Sequence, residues 1–267
     1  MKLGITGTSG VLGTLLCPRL DRAGITYSCF TGDIRSPADL AAWTADNDWD
    51  GVIHLAAIVP TSQVRSDPLT AYEVNVSGTI NLLSALKSAW QGRRGWVFYA
   101  GSSHVYQSSD RPLREDSPLN PVSLYGQMKL MAEQVVATCG ATKAYPFDTC
   151  IGRIFSFYHD TQQPPFLYPN IRHRLATEDL AQPFILPGAD SVRDFLNAEQ
   201  VVDIITRLAL CRATGAVNIA SGRPQRIRDF VQALSPAPLT IQATGTPDYL
   251  VADITRLKTI LGETNDQ

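Results

Sequence analysis

Short apolar runs alternate with longer amphipathic stretches through the first half of the chain. The runs at Leu3–Thr6, Thr26–Phe30, Gly51–Ala57 and Trp96–Ala100 read as strands. Between them, Val11–Ala23, Pro37–Ala45, Leu69–Ala89 and Tyr125–Ala137 carry apolar residues at helical spacing. The strands are apolar throughout instead of alternating with polar residues, so both of their faces are expected to be covered. A parallel sheet between two layers of helices meets that demand. The pattern therefore predicts an α/β fold of the Rossmann type, a doubly wound parallel sheet.

After Gly152 the texture changes. Pro164 and Pro165 are adjacent, further prolines stand at 169, 183 and 187, and the periodicity weakens. We read 1–152 as one domain built on this sheet and 153–267 as mainly a second, smaller region. Elements at about 194–220 are expected to return to the main sheet. Within that stretch Asn197, with Gln200 three residues on, forms a capping pair for an apolar helix Val201–Leu210.

Composition narrows the class of partner. The chain has 267 residues, 44% of them hydrophobic, and a net charge of -2, without a basic run. That balance argues against a nucleic-acid or membrane-surface partner and for a small soluble one. The opening MKLGITGTSGVLGTLLC is not expected to be a signal peptide, because Gly7, Gly10 and Gly13 interrupt it and Leu16 is too large for a cleavage site. No window is long and apolar enough for a membrane span. Five cysteines without CxxC spacing indicate neither a disulfide framework nor a zinc site, so no metal is expected and a reducing cytoplasm fits best.

The segment ITGTSGVLG places Gly7, Gly10 and Gly13 between the first strand and the first helix. Glycines there allow a tight turn, approach of a pyrophosphate to the helix N-terminus, and close packing of helix on sheet. Ser9, Val11 and Leu12 complete the candidate cradle. An acid for the ribose hydroxyls of NAD is expected about 20 residues on. Asp33 is near by count but follows Thr31 and Gly32, beyond the strand, while Cys29–Thr31 carries neither an acid for NAD nor an arginine for NADP. The cofactor is NAD or NADP. In SLYGQMK, Tyr125 and Lys129 are four apart at a helix start and share one face. An ammonium one turn from a phenol favours the phenolate.

The GxxGxxG spacing, Ser102 ahead of Tyr125 and Lys129, HLAA at 54–57, NVSGTINLLSA from Asn75, SVRDFLNAEQVVD from 191 and VNIASGRPQRIRDF from 217 together resemble the extended short-chain dehydrogenase/reductases. That family contains nucleotide-sugar epimerases, dehydratases and reductases. The resemblance implies that Tyr125 passes a proton to or from a sugar oxygen while hydride moves at the nicotinamide. It gives Lys129 the nicotinamide ribose, Ser102 the reacting oxygen, and Asp33 with Ile34 the adenine. Leu55, Ala56, Ala57 and Asn75 would lie beside the cofactor, and Arg193 would touch the substrate diphosphate. It also implies a homodimer formed through the helices at 69–89 and 125–137.

Departures from the family pattern shape the expected activity. Dehydratases of the family carry an Asp-Glu pair after the catalytic hydroxyl, where this chain has Ser103 and His104. Dehydration is therefore disfavoured. Ser103 and His104 are expected near the substrate, and His104 could exchange a single proton as an acid or base. Phe166 falls where a partner histidine would be expected, and Ser156 and His159 replace other expected residues. The compact length resembles the 4-ketoreductases. The expected function is NAD(P)-dependent reduction of a nucleotide-linked 4-keto sugar. The alternatives are a redox-neutral 4-epimerase and a non-catalytic cofactor-sensing regulator.

Overall fold

The computed structural model describes residues 1–45 and 48–263. The first half runs β1 (Lys2–Thr6), α1 (Val11–Arg22), β2 (Thr26–Cys29), α2 (Pro37–Ala45), β3 (Gly51–His54), α3 (Thr61–Ser66), α4 (Pro68–Tyr72), a π-helical turn (Glu73–Ser77) and α5 (Gly78–Ala89). It continues with β4 (Gly95–Ser102), a 3-10 turn (Ser103–Val105), α6 (Leu124–Ala141) and β5 (Phe147–Ile154). Then follow β6 (Ser156–Tyr158), α7 (Leu167–Thr177), β7 (Phe184–Pro187), β8 (Val192–Asn197), α8 (Ala198–Leu210) and β9 (Gly215–Ile219). The chain closes with β10 (Pro224–Arg226), α9 (Ile227–Leu234), β11 (Ile241–Thr244), β12 (Tyr249–Leu250) and α10 (Thr255–Leu261).

Six parallel strands form the main sheet in the order β2-β1-β3-β4-β5-β9. Alternation along β4 shows why its run is apolar throughout. Trp96 and Phe98 join the core beneath α1 and α8, with Leu16, Leu20, Val201 and Ile205. Val97 and Tyr99 point the other way, to Leu40, Leu82, Ala132 and Val136 of α2, α5 and α6. The chain reverses direction across the sheet between β1 and β3, which opens a crevice at their carboxyl ends, the place where doubly wound folds take ligands.

Two smaller sheets complete the fold. β8 lies between β10 and β12 and also pairs with β6, while β7 pairs with β11. α8 packs on α1, and β9 pairs with β5, so this stretch belongs to the main sheet. The capping pair before α8 is present: Asn197 Oδ1 accepts from Glu199 N at 2.9 Å, and Asn197 N donates to Gln200 Oε1 at 2.9 Å.

Besides end shifts such as α6 running on to Ala141 and α8 starting at Ala198, two elements differ from the sequence reading. The strand expected over Gly51–Ala57 stops at His54. Ala56 N donates to the Thr6 hydroxyl at 3.3 Å and Ile58 is held on both its backbone groups by Asn75, at 2.7 and 2.9 Å, which draws the chain off the sheet. The helix expected over Leu69–Ala89 starts at Pro68 behind Asp67, whose carboxylate accepts from Thr70 N at 3.1 Å. It then widens into the π turn that carries Asn75, so this side chain can reach across to Ile58. Such insertions recur at functional sites.

Candidate active site

The glycine loop closes against the end of β3. Gly7 has φ +77, a conformation that L side chains rarely adopt, and a Cβ there would lie 2.6 Å from the Leu55 carbonyl carbon. A Cβ on Gly13 would overlap the Gly7 carbonyl oxygen, whereas Gly10 stands clear, its nearest neighbour 3.5 Å away. No side chain caps α1 at Gly10, and the first N–H groups of a helix have no intrahelical acceptor, so this end of α1 can serve an anion. These features fit a dinucleotide pyrophosphate, with Ser9, Val11 and Leu12 in the turn and Leu55, Ala56 and Ala57 opposite. Asp33, Arg35, Ser36, Glu73 and Ser77 line an open depression of about 470 Å³ near the end of β2. Arg35 is held there by Asp33 at 2.7 Å and Glu73 at 3.5 Å, and it keeps the Asp33 carboxyl below its usual range. Ile34 turns inward and packs on Gly78.

Behind the loop runs a directional chain of hydrogen bonds. The Thr79 hydroxyl donates to the Asn75 carbonyl at 2.9 Å, so it accepts from His54 Nε2 at 3.0 Å. The Thr6 hydroxyl accepts from Ala56 N and donates to His54 Nδ1 at 2.6 Å. This order requires a neutral His54 protonated on Nε2. Burial, and secondarily the Lys129 charge, push its pKa down to about 3. His54 thus ties the ends of β1 and β3 to the π turn.

α6 delivers the tyrosine and the lysine. Ser123 caps it, accepting from Gly126 N at 3.0 Å, and a Cβ on Gly126 would overlap the His104 carbonyl, so α6 is seated against the turn after β4. Tyr125 is 7% exposed, among Val64, Ala71, Val76 and Met128. Burial pushes its hydroxyl up to about 12, against a smaller lowering by Ser102. Lys129 is 3% exposed, its Nζ 4.4 Å from the centre of the Tyr99 ring. Burial pulls it down to about 7, and Glu133 opposes that. Ser102 is buried at the end of β4; its oxygen accepts from His104 N at 3.2 Å, and its side chain hydrogen-bonds Tyr125.

The His104 ring meets the Tyr125 ring edge-on at 5.6 Å. His104 is exposed at its edge yet crowded by neighbours. That crowding and then the Arg193 charge lower its pKa, while Asp248 opposes. Arg193 is already engaged: its Nη2 donates to both Asp248 carboxylate oxygens at 2.7 and 2.9 Å. Although burial acts the other way, Ser191 and Arg193 hold the Asp248 carboxyl below its usual range. The structure thus brings Ser102, His104 and Tyr125 into contact where α6 meets the end of β4, with Lys129 one turn further along α6, the Arg193 charge acting on His104, and Ser103 buried in the turn. The sequence reading missed His54, Glu133, Arg153 and Asp248. Spacing could have found Glu133, which stands four residues after Lys129 on the same helix face.

The chain belongs to the NAD dependent epimerase/dehydratase family, whose model matches residues 3–220. It is similar to GDP-6-deoxy-D-mannose reductase of Pseudomonas aeruginosa, 28% identical over 245 residues, covering 88% of this chain and 79% of the relative. It is also similar to UDP-glucose 4-epimerase of Lactobacillus helveticus, 26% identical over 261 residues, covering 87% and 77%. Among solved structures, RMD from Pseudomonas aeruginosa complexed with NADPH matches with a TM-score of 0.85 at 24% identity, over 98% of this chain and 92% of that one. The fold is thus that of a Rossmann-type short-chain dehydrogenase/reductase, and the family consists of NAD(P)-dependent nucleotide-sugar enzymes. Among the described residues no helix is long and apolar enough to cross a membrane.

Proposed function

We propose that this protein reduces a nucleotide-linked 4-keto sugar with NADH or NADPH. The observation that carries this reading is Tyr125, held as a phenol beside Ser102 with no carboxylic acid at the two following positions, Ser103 and His104. A phenol can give the proton that a carbonyl oxygen takes up as it is reduced, and without a neighbouring carboxylic acid no group is at hand to expel a sugar hydroxyl. A nicotinamide bound over the crevice would supply the hydride to the carbonyl carbon. Tyr125 would give its proton to the carbonyl oxygen, and Ser102 would donate a hydrogen bond to the same oxygen. Lys129 would hold the nicotinamide ribose and stabilise the tyrosinate left behind. Arg193, released from Asp248, would take the diphosphate in its planar fork. The test is incubation with NADH or NADPH and a panel of nucleotide-linked 4-keto-6-deoxyhexoses, following the nicotinamide absorbance. Absence of oxidation across the panel overturns the reading. The similarity to a 4-epimerase supports a second reading, in which nucleotide co-purifies tightly and no net oxidation occurs.

His104, exposed and edge-on to Tyr125, would touch the hexose. The reaction run in heavy water is expected to leave one carbon-bound deuterium in the product with the wild type and none with His104→Asn, read by mass spectrometry. No carbon-bound deuterium in either case, with unchanged turnover, removes any chemical role for His104.

A homodimer is also part of the proposal. Met128 and Val136 of α6 enter the core, and Leu130 and Val135 are partly covered, but Met131 is 47% exposed. Leu69 and Tyr72 on α4, Ile80 on α5 and Leu124 on α6 add exposed apolar surface on packed neighbouring helices. Light scattering at micromolar concentration is expected to give twice the 29.1 kDa chain mass. A monomer alone refutes it. The five cysteines are free, which supports a reducing compartment such as the cytoplasm.

A further inference from the structure

Tyr125, Lys129 and Glu133 are spaced four apart on α6, so they form one row down a single helix face. The row is buried along its length, with Glu133 at 4% exposure. A carboxylate in that position is expensive to desolvate and survives only with a partner. Arg153 of β5 supplies it: Nη2 donates to Glu133 Oε1 at 2.6 Å, and Nε donates to the two oxygens at 3.1 and 3.3 Å. Arg153 is itself pinned, donating to the Tyr106 hydroxyl at 2.7 Å and the Glu115 carbonyl at 2.8 Å, while Tyr106 donates to Asn218 at 2.7 Å. Glu133 cannot swing away from Lys129.

Three other groups face Lys129. Tyr99 of β4 lies beneath its Nζ, with its hydroxyl kept protonated by burial. His54 of β3 is neutral, and Tyr125 precedes it on the helix as a phenol. Tyr99 and Tyr106 also feel the Glu133 charge. Among the described residues facing Lys129, Glu133 is therefore the anion. An ammonium lowers the pKa of a neighbouring phenol only while it is charged, and burial alone drives a lysine towards the neutral amine.

We propose that Glu133, anchored by Arg153, is a positioning residue that keeps Lys129 in its ammonium form beside Tyr125. The role deepens the reductase reading, on which its catalytic meaning rests. Its test is independent of any substrate. The chain has five lysines, so protein labelled at lysine ¹³Cε gives five signals, and Lys129→Met identifies the one that matters. The Lys129 signal is followed by NMR from about pH 5 to 10. In Glu133→Gln its midpoint is expected to fall by about one pH unit or more. The buried guanidinium left unpaired could prevent that variant from folding. Glu133→Gln/Arg153→Met removes it as well, and its midpoint is expected to fall in the same direction by a smaller amount. A Lys129 midpoint within about 0.3 unit of wild type in either folded variant overturns the proposal. Where the 4-keto panel shows turnover, the alkaline limb of the rate profile is expected to move to lower pH by the same interval. No turnover in wild type sinks the reductase reading, whereas an unmoved midpoint sinks the role of Glu133.

Discussion

Tyr125→Phe is expected to lower turnover by roughly 10²- to 10⁴-fold while leaving the fold and dinucleotide binding unchanged. The substitution removes one oxygen and keeps the ring, which stays among Val64, Ala71, Val76 and Met128 and edge-on to His104. No backbone group depends on that oxygen among the described hydrogen bonds. What disappears is the proton given to the carbonyl oxygen as hydride arrives. Ser102 can still orient that oxygen but is far too weak an acid to replace the phenol. Turnover at saturating substrate, with dinucleotide affinity measured separately by fluorescence, checks the split. A loss of less than about tenfold would remove Tyr125 from the proton path.

Arg153→Met is expected to destabilise the protein by about 3–5 kcal/mol, because it strands the Glu133 carboxylate in a site where both partners are 5% exposed. The Tyr106 hydroxyl and the Glu115 carbonyl also lose a donor. Arg153→Met/Glu133→Leu removes the second charge and is expected to recover most of the loss, since an apolar pair of similar volume tolerates that environment. The pH dependence has a defined sign. A buried carboxylate stranded without its guanidinium is relieved by taking up a proton. The deficit is full while the group is charged and shrinks as falling pH neutralises it. Urea unfolding at about pH 8 and pH 5 reads both effects. A loss below about 1 kcal/mol at neutral pH in the single variant contradicts this account.

Features decided by neighbours in sequence were legible directly. Alternating apolar runs and amphipathic stretches follow from periods of two and 3.6 residues, so the α/β class and its strands and helices could be read from Leu3 to Ala137. The glycine loop was legible because Gly13 answers to backbone only a few residues away along the same turn, at Gly7 and Thr8, and Gly7 takes the positive φ of that turn. The Tyr125–Lys129 pair and the Asn197–Gln200 cap are helix spacings. What lay beyond reach were contacts between segments distant in sequence, whose closeness depends on strand order and register. Arg193 meets Asp248 55 residues on, and Arg153 meets Glu133 only because β5 lies beside α6. His54 finds Thr6 and Thr79 through the pairing of β1 with β3 and the packing of the π turn, and that turn itself forms where Asn75 reaches Ile58. The chain by itself determined which groups could do the chemistry, because residue type and local spacing are carried by neighbours along it. Their charge states were decided only by the tertiary structure, because desolvation and the nearest countercharge are set by whatever the fold packs against them.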